Sequence, residues 1–440
     1  MTPEREIGLR IPQILLPKPT IDLHKWAVIA CDQFTSQPEY WQQVEEIVAD
    51  APSTYRMILP EVYLDTPEEE ERVKSTQKMM QKYLESNIFN VINDFIYVIR
   101  TVDGKSRRGL MVCLDLEHYD YNKGAQTLIR ATEGTILDRL PPRIRIREGA
   151  PLELPHILVL FDDPNDTVFG PIDDRIESFE SLYDFDLMLG SGHLRGFKLA
   201  DEKVQSQIFE ALHQLVDSET FAEKYNLKPG RYEPLLFAMG DGNHSLATAK
   251  AIWEKIKPDV GMNHPARYAL VEIENIHDPA LIFEPIHRLL FGIDRDIMDA
   301  MHQFWGENLS IKDLPSQQAM IEIVDQAIEP WHQIGLINAD GVHLIEISEP
   351  DDNLPVGTLQ KFLDAFMEKN GARKIDYIHG TDILFNKASQ ERNAGFYVPG
   401  MDKSDLFKTV ILDGALPRKT FSMGEAKEKR FYMECRQIQK

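Results

Sequence analysis

The sequence predicts an α/β (α+β) protein with mixed sheets. Hydrophobic residues make up 43% and aromatic residues 9% of the 440-residue chain, which is enough to build a sizeable core. Apolar runs of strand length are interspersed with segments of helical periodicity, as in mixed folds. No long Pro/Gly/Ser linker interrupts the chain. After about residue 305 short strands and helices alternate. We therefore expect a main region, 1–304, and a C-terminal α/β subdomain, 305–440, packed on it.

The individual elements follow from periodicity and punctuation. Residues 66–88 predict one amphipathic helix with Thr66 as N-cap and acidic residues in its first turn. Asp103-Gly104 lies between two apolar runs and predicts a hairpin. The remaining predictions are strands at 156–161, 267–276, 343–348, 374–379 and 394–399, helices at 201–217, 359–369 and 403–412, and a strand, turn and helix over 234–257.

Charge and cysteine content exclude several classes of protein. The chain carries 71 acidic and 48 basic residues, a formal charge of −23. This disfavours nucleic acid and anionic membrane surfaces as partners, although a local basic pocket for a small phosphate compound remains open. Three widely spaced cysteines without a CxxC argue against a disulfide framework or a cysteine zinc site. With no signal peptide and no membrane-spanning apolar run, we expect a cytoplasmic protein.

The most informative segment is a turn that follows the apolar run 234–239. Its residues are Asp241, Gly242, Asn243, His244 and Ser245, and a helical stretch follows it. Glycine lets the backbone approach a ligand closely, and the helix N-terminus favours phosphate. Asp241 could remove a proton from a hydroxyl or hold a metal, and His244 could donate to a phosphoryl oxygen. The alternative is that the turn merely caps the helix.

A local arginine cluster begins at Arg130 and continues through Thr132 and Glu133. Arginine is a natural bidentate partner of phosphate. Since Arg145 and Arg147 alternate with isoleucines, we expect both on one strand face. The alternative is a charged segment with structural ion pairs to Glu133, Asp138 or Glu148. The remaining members of the cluster are Asp138, Arg139 and Arg143.

Two further segments could contribute polar side chains. Asp32 and Gln33 follow the apolar run 26–30, and the end of a buried strand is a common place for a site. Alternatively they form a turn that enters the next helix. His193 and Arg195 lie in a glycine-rich segment, 189–196, which could be either a ligand-contacting lid or a simple turn.

Three short motifs together resemble one known family. The motifs are Asp241-Gly242-Asn243-His244-Ser245, Glu284-Pro285-Ile286-His287-Arg288 and Leu416-Pro417-Arg418-Lys419-Thr420. The combination resembles the bacterial and archaeal family called domain of unknown function 1015, over nearly the whole chain. That resemblance implies a ParB/sulfiredoxin-like core and a likeness to free-serine kinases, some of which use pyrophosphate. Two positions of the turn depart from the family pattern: Asn243 replaces a histidine and Ser245 an arginine.

The leading hypothesis is a cytosolic kinase for a small hydroxyl metabolite, with free L-serine as acceptor and pyrophosphate or ATP as donor. Asp241 is the expected base or metal ligand, with Glu133 as second candidate base. The expected phosphate and substrate residues are Gly242, Asn243, His244, Ser245, Arg130, Thr132, Arg139, Asp32, Gln33, His193 and Arg195. Mg²⁺ is expected with the phosphate donor, and a homodimer is conceivable. The alternatives are a non-catalytic phosphometabolite or nucleotide sensor, and a metal-dependent phosphohydrolase using Asp32, Asp241 and His244.

Overall fold

The computed structural model describes residues 7–35, 37–64, 66–135, 140–326, 330–424 and 426–439. The chain forms two compact units, Met1–Leu281 with Gly424–Lys440, and Ile282–Met423. This division differs from the expected boundary at residue 305, which is the last residue of helix Ile297–Trp305. Strand His287–Phe291 already pairs within the second unit, and the end of the chain returns to the first. Such long-range pairing leaves no mark in local composition.

The first unit is built on one mixed sheet of ten strands, which confirms the predicted fold class. Leu158–Phe161 runs parallel to Tyr268–Asn275 and antiparallel to Phe237–Asp241. The order across the sheet is Glu180–Asp186, His193–Leu199, Phe95–Val102, Lys105–Asp115, Tyr268–Asn275, Leu158–Phe161, Phe237–Asp241, Ile129–Arg130 and Tyr119–Asp120, with Leu9–Arg10 paired to Lys105–Asp115.

Both faces of this sheet are buried under separate hydrophobic cores. Along Phe95–Val102, Phe95 and Tyr97 join one core whereas Ile96 and Val98 join the other, as strand alternation requires. Side chains from helices Glu202–Gln214 and Asn243–Val260 pack in the first core. Side chains from helices Pro38–Val48 and Glu69–Glu85, and from the C-terminal segment, pack in the second.

The local predictions hold in most elements of this unit. The hairpin turns at Asp103 and Gly104 with φ of 48° and 77°. The long helix spans Glu69–Glu85, but its N-cap is Glu68, and the Thr66 hydroxyl instead donates to Tyr63 O at 2.7 Å. The other described helices are Leu23–Trp26, Leu140–Arg147, Gly170–Asp173 and Ser218–Lys224; the short strand pairs are Ile14–Pro17 with Phe89–Ile92, Val28–Ile29 with Phe431–Tyr432, and Leu152–Glu153 with Arg436–Gln437.

The second unit has a six-stranded antiparallel sheet. Its core includes Leu289, Met320, Ile337, Leu384 and Phe385. The strand order is Leu309–Leu314, Gly341–Ile347, His332–Asn338, Asn393–Tyr397, His287–Phe291 and Lys374–Ile378, with a separate pair Phe283–Pro285 and Phe421–Met423. The described helices are Ile297–Trp305, Gln317–Asp325, Pro355–Glu368, Thr381–Ala388 and Lys403–Asp413.

The expectation that Arg145 and Arg147 lie on a strand face is wrong. Residues Leu140–Arg147 form a helix. Two prolines follow Leu140, and proline is favoured in a first helical turn because its missing N–H would have no partner there. The alternation of isoleucine and arginine therefore did not indicate a strand in this segment. Among helices of the described ranges, none combines the length and the apolar character needed to cross a membrane.

Candidate functional site

The strand, turn and helix predicted around Asp241 are present. Strand Phe237–Asp241 ends at the turn, Gly242 adopts φ +80°, and helix Asn243–Val260 begins at the next residue. A Cβ on Gly242 would lie 3.1 Å from Ile157 Cγ1, so both the backbone angle and the close approach require glycine. Gly242 is the N-cap, and as a glycine it offers no side chain to cap the helix. The capping alternative therefore does not explain the polar side chains of the turn.

Asp241 is paired with a residue from the end of the chain. Its Oδ2 lies 3.0 Å from Lys429 Nζ, and its Oδ1 accepts a hydrogen bond of 2.8 Å from Gly242 N. The side chains of Asp241 and Lys429 are 26% and 18% exposed, so both are within reach of a ligand. Lys429 therefore adds a positive charge beside the helix N-terminus. It was missed because only the tertiary fold brings it to Asp241.

A hydrogen-bonded chain connects the turn to the segment after strand Val28–Ile29. Ser245 Oγ lies 3.0 Å from His156 Nε2, and His156 Nδ1 lies 2.9 Å from the Tyr432 hydroxyl. That hydroxyl donates to Cys31 Sγ at 3.1 Å. Burial is the main cause that raises the pKa of Cys31 to about 12, so this thiol stays protonated and inert. These hydrogen bonds hold the Ser245 side chain in place. Unlike the arginine of the family pattern, Ser245 carries no positive charge.

Predicted residues from two segments lie next to this hydrogen-bonded chain or beside the strand that leads to the turn. Asp32 and Gln33 follow Cys31, and Gln33 Nε2 donates to Asp32 Oδ1 at 2.9 Å. Thr132 Oγ1 donates to Met239 O at 2.8 Å, which holds Thr132 beside strand Phe237–Asp241. The half-buried Glu133 comes next in the chain. The structure therefore places Thr132 beside strand Phe237–Asp241, and it connects the segment 32–33 to the turn through Cys31 and the hydrogen-bonded chain.

Two residues of the turn itself show how it meets the helix. The His244 carbonyl accepts a hydrogen bond of 2.7 Å from Thr248 Oγ1, and the His244 side chain is half-buried. The side-chain oxygen of Asn243 is buried and has no hydrogen-bond partner in the described part of the chain. An acceptor in this state costs free energy unless a ligand satisfies it.

Arg130 is not directed at the turn. Its Nε donates to Thr127 O at 2.8 Å, and its Nη2 donates to Glu233 O at 2.7 Å and to Pro234 O at 3.2 Å. These carbonyls precede strand Phe237–Asp241, whereas the turn follows it. Burial lowers the pKa of Arg130 to about 10, and the guanidinium holds a loop in place. Arg139, with residues 136–138, lies outside the described residues.

His193 and Arg195 lie far from the turn across the sheet. Their strand, His193–Leu199, is separated from Phe237–Asp241 by four other strands. His193 pairs with Asp186 at 2.6 Å and Asp184 at 2.7 Å, and the Asp186 hydrogen bond is the main cause that raises its pKa. The glycine-rich segment turns a hairpin, in which Leu187 N donates to Gly192 O. The simple-turn alternative fits this geometry.

The arginines of helix Leu140–Arg147 form structural ion pairs. Arg143 pairs with Glu61, Arg145 with Glu69 at 2.9 Å, and Arg147 with Glu153 at 2.5 Å. The alternative of structural pairing is therefore correct for these three arginines, and it involves Glu61, Glu69 and Glu153 in addition to whatever the expected Glu133 and Glu148 contribute; the expected Asp138 lies outside the described residues.

Glu274 is a buried carboxylate that the sequence analysis missed. It has no exposed surface, and burial raises its pKa to about 7. The positive charges of Arg107 and Lys429 lower the pKa of Glu274. The negative charges of Asp278 and Asp241 raise it. Arg107 Nε lies 2.7 Å from Glu274 Oε1, but neither Glu274 oxygen has an aligned hydrogen bond among the described residues. An acidic residue inside a central apolar strand was the available signal.

The described residues do not form a protein-only metal site. No group of three or more His, Cys, Asp or Glu side chains in these ranges is arranged to hold a metal ion. Both oxygens of Asp241 are engaged, by Gly242 N–H and by Lys429. Since Mg²⁺ is often held by one or two carboxylates together with substrate phosphates, the expected ion stays a prediction tied to the donor.

Fold and site together define a mixed α/β protein with an uncapped helix N-terminus beside a lysine–aspartate pair. The sequence matches the family described as "Protein of unknown function (DUF1015)" over residues 15–366. The chain therefore belongs to this family, which confirms the resemblance inferred from the three motifs. No curated protein matches the sequence.

Three solved structures show a partial likeness to this chain at low identity. A free serine kinase in complex with AMP is 12% identical, with TM-score 0.37, covering 75% of this chain and 91% of that one. A conserved hypothetical protein from Pyrococcus furiosus is 11% identical, with TM-score 0.36 and coverages of 75% and 95%. C-terminally truncated SbnI from Staphylococcus aureus is 9% identical, with TM-score 0.36 and coverages of 75% and 87%. The ParB-like core stays a prediction.

Proposed function

We propose that the protein is a phosphotransferase that moves a phosphoryl group to the hydroxyl of a small metabolite. The observation that carries this proposal is the uncapped start of helix Asn243–Val260 beside the Asp241–Lys429 pair. The first N–H groups of a helix have no intrahelical partner and carry a partial positive charge. With a lysine next to them, they favour a phosphate group.

The same arrangement supports a complete scheme for phosphoryl transfer. The acceptor hydroxyl oxygen bonds to phosphorus while the bond from phosphorus to the leaving phosphate breaks. Asp241 takes the hydroxyl proton, and Lys429 moves from Asp241 to the phosphoryl oxygens, where it offsets their charge. The N–H groups at Asn243 and His244 hold the transferred group in line. Positioning and charge stabilisation are the main needs of phosphoryl transfer.

The acceptor and donor are proposed from the family motifs. Free L-serine is the leading acceptor, and pyrophosphate or ATP is the leading donor. Pyrophosphate is compact and needs no adenine pocket. We expect Mg²⁺ to arrive with either donor. The turn differs from the family pattern at Asn243 and Ser245, and Lys429 supplies a positive charge where the family's arginine is missing.

The decisive measurement is phosphorus NMR of the purified protein with Mg²⁺ and L-serine, with pyrophosphate and ATP in separate samples. A phosphoserine signal is the expected result, and the sample in which it appears identifies the donor. Omitting Mg²⁺ tests the expected ion. Free phosphate without phosphoserine would favour the phosphohydrolase, and binding of a donor without any turnover would favour the sensor. Either result would overturn the proposed transfer to serine.

Substitution of Asp241 tests the assigned base. Asp241→Asn should lower kcat by about 100-fold or more, as loss of a general base typically does. Lys429→Gln in the same assay should raise the donor KM, since it removes a charge from the phosphate site. The control is Asp120→Asn, because Asp120 is also the last residue of a strand of this sheet and accepts a backbone hydrogen bond, from Asn122 N. Activity of Asp241→Asn within about twofold of the parent would exclude the role.

A further inference from the structure

Two arginines face each other across a hairpin of the first unit. Arg100 and Arg107 are direct cross-strand partners in the pair Phe95–Val102 and Lys105–Asp115. Partners in register point to the same face, and like charges placed opposite each other destabilise a sheet. The charge of Arg430 also reaches this point, because it lowers the pKa of Arg100. Three positive groups therefore converge in a protein with a formal charge of −23.

Arg100 is the least satisfied member of this group. It is 4% exposed, and its Nε and Nη1 have no hydrogen-bond partner in the described part of the chain. Only its Nη2 is engaged, donating to Lys427 O at 3.0 Å. Burial first, and then the charges of Arg107 and Arg430, lower the pKa of Arg100 to about 9. Leaving two guanidinium N–H groups buried and unpaired costs free energy that a bound acceptor would recover.

The surroundings of Arg100 suit an anion. The Arg100 guanidinium carbon lies over the Phe431 ring, 5.2 Å from its centre. The ring contacts a face of the guanidinium, so the N–H groups at the guanidinium edge can still donate hydrogen bonds. The Tyr40 hydroxyl is buried and has no hydrogen-bond partner among the described residues, and the Arg100 charge opposes the burial that raises the pKa of Tyr40. Arg107 Nη1 donates to Glu428 O at 3.3 Å. Carbonyls of the short helix Ala426–Glu428 therefore accept from both arginines.

Acidic groups reach the cluster from one side. Glu274 Oε1 lies 2.7 Å from Arg107 Nε, so Arg107 is partly neutralised, and Glu428 partly offsets the charge effects on the pKa of Arg100. Arg430 is paired with Glu272 and Glu434. Arg100 itself has no acidic side chain as a hydrogen-bond or ion-pair partner among the described residues. Arg100 is thus the arginine of this group that has no ion-pair partner among the described residues.

We propose that Arg100 and Arg107 bind a small phosphate-type oxyanion, either inorganic phosphate or the terminal phosphate of a small metabolite. The Nε and Nη1 groups of Arg100 supply donors, and Arg107 and the Tyr40 hydroxyl add a charge and a further donor. Guanidinium groups pair strongly with phosphate oxygens. This site is distinct from the turn at Asp241, because three strands lie between Phe95–Val102 and Phe237–Asp241, although residues 427–429 run from Arg100 and Arg107 to the Asp241–Lys429 pair. It does not depend on the proposed transfer reaction.

The test is calorimetric titration of the full chain with inorganic phosphate, with sulfate and a phosphorylated small metabolite as further arms. The parent should bind phosphate, and Arg100→Gln should bind it about tenfold or more weakly, as expected for a lost charged hydrogen bond. Without phosphate, Arg100→Gln should be as stable as the parent or more so, because it relieves the repulsion with Arg107. Phosphate should raise the Tm of the parent by more than that of Arg100→Gln, in which only the turn at Asp241 is left to bind it.

Two controls keep the result decisive. Arg175→Gln removes an exposed arginine that pairs with Asp201, and it should bind phosphate like the parent. If Arg100→Gln does not fold, Arg107→Gln should show the same loss of phosphate affinity. Equal affinity of parent and variant, or no binding of phosphate by the parent, would overturn the proposal. A variant that is less stable by the same amount with and without phosphate would show that Arg100 only anchors the C-terminal segment.

Discussion

Glu274 shows that a single buried side chain can make the stability of the protein depend on pH. It is fully buried at the centre of the first sheet, and its pKa rises to about 7 because burial penalises the carboxylate. The unfolded chain binds that proton only below about 4.5. Between these values the folded state holds one proton more than the unfolded state. The contribution of Glu274 to stability is therefore present at low pH and is lost as pH rises through about 7.

Glu274→Gln should remove this pH dependence. Because one pH unit is worth about 1.4 kcal/mol per proton, the parent should lose about 2 to 3 kcal/mol relative to the variant between about pH 5 and pH 8. Urea unfolding of both proteins at several pH values measures the difference. Glu85→Gln, on the exposed end of helix Glu69–Glu85, is the control and should track the parent. A constant difference across this range would contradict the shifted pKa.

At the same scale, the sequence predicted the polar turn but not its partners. Asp241 and Gly242 stand together in the chain, so spacing alone identified them. Lys429 reaches Asp241 because the chain end returns to the first sheet, and Tyr432 from the same segment is connected to the turn through His156. Arg130 illustrates the opposite case: its buried guanidinium donates to backbone carbonyls through Nε and Nη2, and sequence alone cannot distinguish that arrangement from phosphate binding.

At the scale of elements, the strand–turn–helix around Gly242 was predictable because each part has a local cause. Apolar residues form the strand, glycine permits φ +80°, and the following residues are helical. The helix Leu140–Arg147 was not, since alternation of isoleucine and arginine suits a strand face as well as a helix. Its prolines were the better guide. Local signals thus fix an element only where they agree with each other.

The turn makes a prediction about packing as well as chemistry. Gly242→Ala forces an alanine into positive φ and places its Cβ 3.1 Å from Ile157 Cγ1. We expect the free energy of unfolding to fall by about 1 to 3 kcal/mol. Gly124→Ala is the matched control, because Gly124 has φ +80° and nothing within 4 Å of the added Cβ. Urea unfolding should show a larger loss for Gly242→Ala. Equal losses would mean that the approach to Ile157 contributes nothing.

At the scale of the whole molecule, the first unit is closed by the end of its own chain. Phe431–Tyr432 pairs with Val28–Ile29, and Arg436–Gln437 pairs with Leu152–Glu153. Buried side chains of this C-terminal segment pack in the second hydrophobic core of the first unit. Arg430 is the ion-pair partner of the buried Glu272. The second unit, Ile282–Met423, thus lies in sequence between two parts of the first. Composition cannot reveal this, because an inserted unit looks like a following one.

Deleting residues 424–440 should therefore damage the first unit and spare the second. The deletion exposes the apolar partners of Phe431 and Tyr432, and it leaves Glu272 as a buried charge without Arg430, which is strongly destabilising. Hydrogen–deuterium exchange read peptide by peptide should show lost protection in Phe95–Val102 and retained protection in His332–Asn338. Deleting only residues 439 and 440 is the control, since both lie beyond the last strand. Equal protection of Phe95–Val102 in the deletion and the parent would show that the returning segment does not hold the first unit together.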